Sequence, residues 1–284
     1  MTTFYNQATL SYNGTVTNSN VATGELLDVL TATKTAVLDE YGANDNITFI
    51  ISIVNAGTTP FTGLTITDKL GGYPFGAATL YPLTYVAGSI LYYMSGDIQA
   101  APVVLAGPPL VISGINVPAG GNAIIIYETQ VNQFAPLGVD GTIENDAQIT
   151  GGGLSDPISV SDTILTEDQP NLTISKSVCP STVAENGQLT YTFNILNYGN
   201  TPAVAADLVK ITDTFDPILN PITVALNGTP WVVAINYTYD SVLGKFATIA
   251  GQITVPAANF TQDLVAGNWI VNPGVSVLTV TGTV

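Results

Sequence analysis

The chain has no histidine, no arginine, one cysteine and only five lysines among 284 residues. Each shortage excludes something. Without His or Arg the usual proton shuttle, imidazole metal ligand and bidentate phosphate clamp are missing, so an ordinary enzyme, a metal site and a cofactor are not expected. The lone Cys179 rules out an internal disulfide framework and is expected to be a buried apolar thiol. Against the five lysines stand 21 acidic residues, for a formal charge of −16, so nothing can neutralise a run of phosphates. Nucleic acid and an anionic membrane surface are excluded as partners on that ground. No apolar run approaches the ~18 residues of a membrane span, which excludes membrane insertion through a helix. The stretch MTTFYNQATL also lacks the basic and apolar segments of a secretory leader.

What is present is alternation. NITFIISIVN (46–55), QLTYTFNILN (188–197) and SVLTVTGTV (276–284) carry period-2 patterns rich in Thr, Val, Ile and Tyr. Turn clusters such as AGTTP, YGNTP and GGGLSDP punctuate them, and no 3.6-residue apolar stripe appears. The fold class is all-β, in many short strands.

A repeat organises those strands. LTATK (30–34) lies over LTISK (172–176), and NDNITFIISIVNAGTTP (44–60) over NGQLTYTFNILNYGNTP (186–202), both at an offset of 142. LTITDKL (64–70) matches VKITDTF (209–215) at an offset of 145, and VPAGGNAIIIYETQV (117–131) is set against VNPGVSVLTVTGTV (271–284). TIENDAQIT (142–150) closes the first unit, and no counterpart follows in the second. Its pattern stands instead at the front as TFYNQATLS (3–11), with Asn6 over Asn145 and Ala8 over Ala147. The expected organisation is therefore N-terminal donor strands (1–28), a complete sandwich (29–168) and a second sandwich (169–284) lacking its closing strands. Phe4, Tyr5, Asn6, Ala8 and Leu10 form the expected donor strand.

The run LTISKSVCPSTVAENGQLTYTFNILNYGNTPAVAADLVKITDTFDP resembles the conserved repeat domain of bacterial and archaeal surface proteins, an Ig-like family long labelled a domain of unknown function. The shared pattern is an opening strand ending in Lys (Lys34, Lys176), a strand and turn ending in N-x-G (Asn46 to Gly57, Gly187 to Gly199), a T-D strand (Asp68, Asp213) and a closing N-x-A strand (Asn145 to Ala147). The resemblance implies two tandem Ig-like β-sandwiches in a cell-surface or filament setting. The displaced closing strand departs from it and argues against two simple beads on a stalk.

A sandwich without its last strands exposes backbone donors and acceptors and an open core, which a matching strand from elsewhere can fill. Donation to a neighbouring copy is heterologous and propagates head-to-tail. The alternative is a hairpin folded back on its own chain, giving a circularly permuted monomer. Little slack separates the N-terminal strands from the first opening strand, which favours donation between chains.

A second chemistry is suggested by two lysines at the same place on the two opening strands. Burial favours neutral lysine and neutral carboxyl, so Lys Nζ can attack an Asn carbonyl while the Asp polarises it and relays protons, with ammonia leaving. This resembles the self-formed isopeptide bonds of Gram-positive pilus and adhesin domains. The sets are Lys34, Asp68 and Asn145 within one chain, and Lys176 and Asp213 with Asn6 of the next, Asp68 and Asp213 being the promoters. The bland alternative is a Lys–Asp ion pair beside a turn-making Asn. Lys69, Lys210 and Lys245 read as solvated surface charges.

The expected function is a structural subunit of an extracellular or spore-surface fibre, a head-to-tail homopolymer with no cofactor and no catalysis beyond its own crosslinking. The competing expectation is a surface adhesin or ligand-binding module using loops such as LYYMSGD (91–97), whose aromatics nevertheless alternate as core residues do.

Overall fold

The computed structural model describes residues 2–284. Alternation folds as strands throughout. In Asn46–Asn55 the residues Ile47, Phe49, Ile51 and Ile53 are fully buried, while Thr48, Ile50 and Ser52 between them stay half-exposed. One sheet runs in the order Asp97–Ile98, Leu91–Met94, Asn122–Val131, Asn46–Asn55, Leu30–Ala36, with Leu83–Tyr85 also paired to Asn122–Val131. The facing sheet runs Val103–Leu105, Leu110–Val117, Phe61–Asp68, Thr142–Gly151, Ile158–Thr166, Glu40–Tyr41. Leu64, Ile66, Ile112, Ile125, Ile143 and Ile149 fill the space between them. The last hairpin, Thr142–Gly151 with Ile158–Thr166, closes this sandwich beside the opening strand Leu30–Ala36.

A second apolar core forms around Phe193, Ile195, Phe215, Phe246, Leu278 and Val280. Its larger sheet has the order Leu172–Cys179, Gln188–Asn197, Gly274–Thr283, Ile222–Leu226, Thr229–Trp231. The facing sheet has three strands, Thr212–Thr214, Lys245–Thr248 and Tyr237–Asp240, against six in the first sandwich. Among the described residues no hairpin closes it.

The N-x-G motif is a turn device in both units. Asn55 Nδ2 donates to Thr59 O at 2.8 Å and Pro118 O at 3.0 Å, while its Oδ1 accepts Gly57 N–H at 2.9 Å. Asn197 repeats this with Thr201 O, Pro256 O and Gly199 N–H at 2.8, 3.0 and 2.9 Å. This corrects one alignment. The counterpart of Val117–Pro118 is Val255–Pro256, and the intervening segment is an inserted arm, a hairpin of Asn259–Gln262 and Trp269–Asn272. The arm reaches the first sandwich, where Trp269 N–H donates to Gln133 O at 2.9 Å and Gln262 Nε2 to the Tyr73 hydroxyl at 2.9 Å. Leu80 packs against Gly267 of the arm.

Residues 2–26 form a separate long hairpin. Thr2–Asn6 pairs with Ala22–Leu26 and Thr9–Tyr12 with Thr15–Asn18, around an Asn13–Gly14 turn whose φ angles are 43° and 76°. Positive φ at both central residues suits the right-handed strand twist of a two-residue hairpin. From Thr3 onward its side chains are exposed, including Phe4 (55%) and Leu10 (60%).

Candidate functional site

Strand parity brings three of the expected residues together in the first sandwich. Lys34 points inward from Leu30–Ala36, Asp68 ends Phe61–Asp68, and Asn145 lies on the closing strand two residues before Ala147, which pairs with Asp68. Lys34 Nζ lies 2.6 Å from Asp68 Oδ2, with both side chains wholly buried. Asn145, also buried, donates from Nδ2 to the same Asp68 oxygen at 3.4 Å. Its carbonyl oxygen accepts Gly71 N–H at 3.0 Å. Gly71 has φ +67°, and a Cβ there would lie 2.5 Å from Ile143, so this close approach requires glycine.

Chemically this is an amine, a proton carrier and a polarised amide in one dry compartment. Burial pushes the Lys34 amine below its ordinary value, opposed by the Asp68 charge, which favours a nucleophilic lone pair. The Phe49 ring lies 4.8 Å from Lys34 Nζ and excludes water on that side. The Gly71 N–H withdraws electrons from the Asn145 carbonyl and stands where negative charge would gather on its oxygen.

In the second sandwich only part of the set is assembled. Lys176 Nζ approaches Asp213 Oδ2 to 2.5 Å, but their side chains are 39% and 17% exposed. Apart from this ion pair that oxygen has no hydrogen-bond donor among the described residues. The rings of Tyr191, Phe193 and Phe215 lie 4.4, 5.5 and 5.5 Å from the ammonium. Asn6 is not there. It sits exposed opposite Ala22 on Thr2–Asn6 with Phe4 and Tyr5; the expected single donor strand is interrupted at Gln7–Ala8, and Leu10, also exposed, lies on the next strand, Thr9–Tyr12.

The cleft that Asn145 fills in the first sandwich is open in the second. On Leu172–Cys179 the inward positions Ile174, Lys176 and Val178 are exposed, whereas their counterparts Lys34 and Ala36 are buried. The three-stranded sheet leaves one edge of Thr212–Thr214 unpaired, the edge corresponding to the one Thr142–Gly151 occupies on Phe61–Asp68.

Several smaller expectations resolve plainly. Cys179 is exposed, not buried, because it has the outward parity of Val37, its exposed counterpart in the first unit. Lys69 is an exposed partner of Asp146 at 3.1 Å, and Lys210 and Lys245 are exposed. Tyr92 of LYYMSGD is core, its hydroxyl donating to Asn116 O at 2.8 Å. Among the described residues no helix is long and apolar enough to cross a membrane. Sequence reasoning missed Gly71, flagged only by the Gly-Gly after the T-D strand. It also missed Tyr127, whose hydroxyl donates to Asp68 Oδ2. Its position in the second unit holds a valine, so the repeat concealed it.

No family model matches the chain, and no curated relative does. Among solved structures, the major pilin subunit of Bacillus cereus is 12% identical with a TM-score of 0.35, the match covering 96% of this chain and 73% of that one. The pilus backbone of Streptococcus pneumoniae is 10% identical at a TM-score of 0.36, with 86% and 55% covered, so this chain spans about half its length. The collagen-binding subdomain of an Enterococcus faecalis surface protein is 10% identical at 0.30, covering 51% and 99%. Likeness this low carries no functional weight, and the chain's own residues must supply it.

Proposed function

We propose that the chain is a structural subunit of a surface fibre, a homopolymer in which the N-terminal hairpin of one copy closes the second sandwich of the next. The observation that carries this is a matched pair of defects. The second sandwich offers an open cleft with an apolar inward face and a Lys176–Asp213 pair that stays partly exposed, while residues 2–26 hold a hairpin with the side-chain pattern of the closing strand. By the register of Ala147 on Asp68, Ala8 would lie opposite Asp213 of the neighbour, and Asn6 would face Lys176.

Magnitudes indicate what such a joint needs. Burying Phe4, Leu10, Ile174 and Val178 contributes about 1.5–3 kcal/mol each, of the same order as the roughly 4–15 kcal/mol cost of association. The new strand's hydrogen bonds add to this, and a covalent bond would make the joint permanent. The Lys34–Asp68–Asn145 geometry supports bond formation within the first sandwich, and the second site is suited to the same reaction once Asn6 arrives. In each, Nζ joins Cγ of the asparagine and ammonia leaves. Asp68 and Asp213 act on the protein itself and turn over no external substrate.

Boiling the assembled protein in detergent and weighing the products tests this. The expected result is a ladder of multimers, with about 17 Da lost per bond as ammonia. A single monomer band of unmodified mass would rule out the crosslinks, and a monodisperse native monomer would rule out strand donation.

A further inference from the structure

The Lys34 site contains a fourth polar side chain. Tyr127 projects inward from Asn122–Val131, is fully buried, and donates its hydroxyl to Asp68 Oδ2. That oxygen also meets Lys34 Nζ at 2.6 Å and Asn145 Nδ2 at 3.4 Å. The other carboxyl oxygen, Oδ1, accepts Leu70 N–H at 2.8 Å. Asp68 is thus fixed at both oxygens, with Oδ2 held between the two nitrogens that must exchange protons.

The second site differs here. Tyr127 pairs with Phe49, and the residue equivalent to Phe49, Tyr191, pairs with Val280, which is buried and has no polar side-chain atom. Tyr191 lies 4.4 Å from Lys176 Nζ, much as Phe49 lies 4.8 Å from Lys34 Nζ. The ring under the lysine is kept, and the hydroxyl on the aspartate is not.

We propose that Tyr127 is a positioning residue for bond formation between Lys34 and Asn145, acting through Asp68; this rests on the crosslinking chemistry proposed above. Nζ first passes a proton to Asp68 Oδ2 across their 2.6 Å contact; the neutral amine then forms a bond to Asn145 Cγ, and the carbonyl π pair moves onto Oδ1 beside the Gly71 N–H. Asp68 gives its proton to Nδ2 and takes one from Nζ. The pair on Oδ1 re-forms the C=O as the Cγ–Nδ2 bond breaks, releasing ammonia and leaving Asp68 protonated again. A single oxygen serves both nitrogens only while its orientation is held, and the Tyr127 hydroxyl holds it. Burial and the neighbouring Asp68 charge push the Tyr127 ionisation far above its ordinary value, so it remains a donor.

The test uses the full chain, taken unreacted from urea, refolded by dilution and followed in time by peptide mass mapping of both crosslinks. Tyr127→Phe keeps the ring and removes the hydroxyl, with folding followed separately by circular dichroism. The expected result is refolding at the unsubstituted rate with Lys34–Asn145 bond formation slowed about 10- to 100-fold, as misplacement of a reacting group produces. Bond formation at Lys176 in the same sample stays unchanged. Equal Lys34–Asn145 rates in the two chains would overturn the role of Tyr127 and leave the crosslink standing. Slowing that merely tracks slower refolding assigns Tyr127 to packing and also overturns it. Absence of any mass loss in the unsubstituted chain refutes the crosslink and this role together.

Discussion

The opening strands Leu30–Ala36 and Leu172–Cys179 start from nearly the same residues, LTATK and LTISK, yet Lys34 is buried and Lys176 is exposed. Both pair along one edge with the equivalent neighbour, Asn46–Asn55 or Gln188–Asn197, so the local sheet cannot explain the difference. The closing hairpin does. In the first unit it brings Asn145 into the core, and Asp162 on its return strand accepts the Ala36 N–H at 2.5 Å. Burial of an ionisable pair here depends on a later segment of chain, and the reactivity that follows from burial depends on it too.

The comparison breaks most completely if the hairpin is removed. Deleting residues 2–24 is expected to abolish fibres and leave soluble subunits by electron microscopy and sedimentation; fibres that persist would refute donation. Next in size, Lys176→Ala is expected to leave assembly intact but collapse the detergent-resistant ladder to monomers on a gel, while Lys34→Ala keeps the ladder. Asn145→Ala should then retain about 17 Da of mass and unfold earlier. A crosslink spanning roughly 100 residues contributes about 4–5 kcal/mol on the chain-entropy account, which corresponds to about 10 °C or more by calorimetry.

The smallest effect is in pH. In Asn145→Ala the Lys34 amine still titrates, beside Asp68, Asp146 and Asp162, and burial holds it below 10.5 in the folded state. Between that lowered value and 10.5 the unfolded chain binds more protons, so stability rises with pH across this window. The buried Tyr127 hydroxyl reverses the trend at higher pH, because folding disfavours its ionisation. The crosslinked protein has an amide in place of the amine and should lack the rise, as melting temperatures at pH 8 to 10 would reveal.

Much of this was legible in sequence because period-2 alternation fixes which side chains share a face, and an offset repeat fixes which faces correspond. Lys34, Asp68 and Asn145 were found that way, as were the turn asparagines. What escaped were features without a repeat partner. Tyr127 corresponds to a valine position in the other unit, and the arm at 259–272 is hidden by the Val-Asn-Pro of Val271–Pro273, which mimics the Val-Pro turn at Val255–Pro256. For Cys179 residue type suggests burial, whereas its parity with Val37 points outward, and the parity decides.

The arm has a mechanical consequence. Bending the chain between its sandwiches strains the five-residue linker 167–171 and must also detach Trp269 from Gln133 and Gln262 from Tyr73, some distance off the bending axis. The corresponding place in the first sandwich holds only the tight turn Ala119–Gly121, and just three residues, 27–29, separate the hairpin from Leu30. In a filament of such subunits, bending within a copy would therefore have to break the arm's contacts as well as strain the linker, so the arm stiffens each repeat between its two sandwiches.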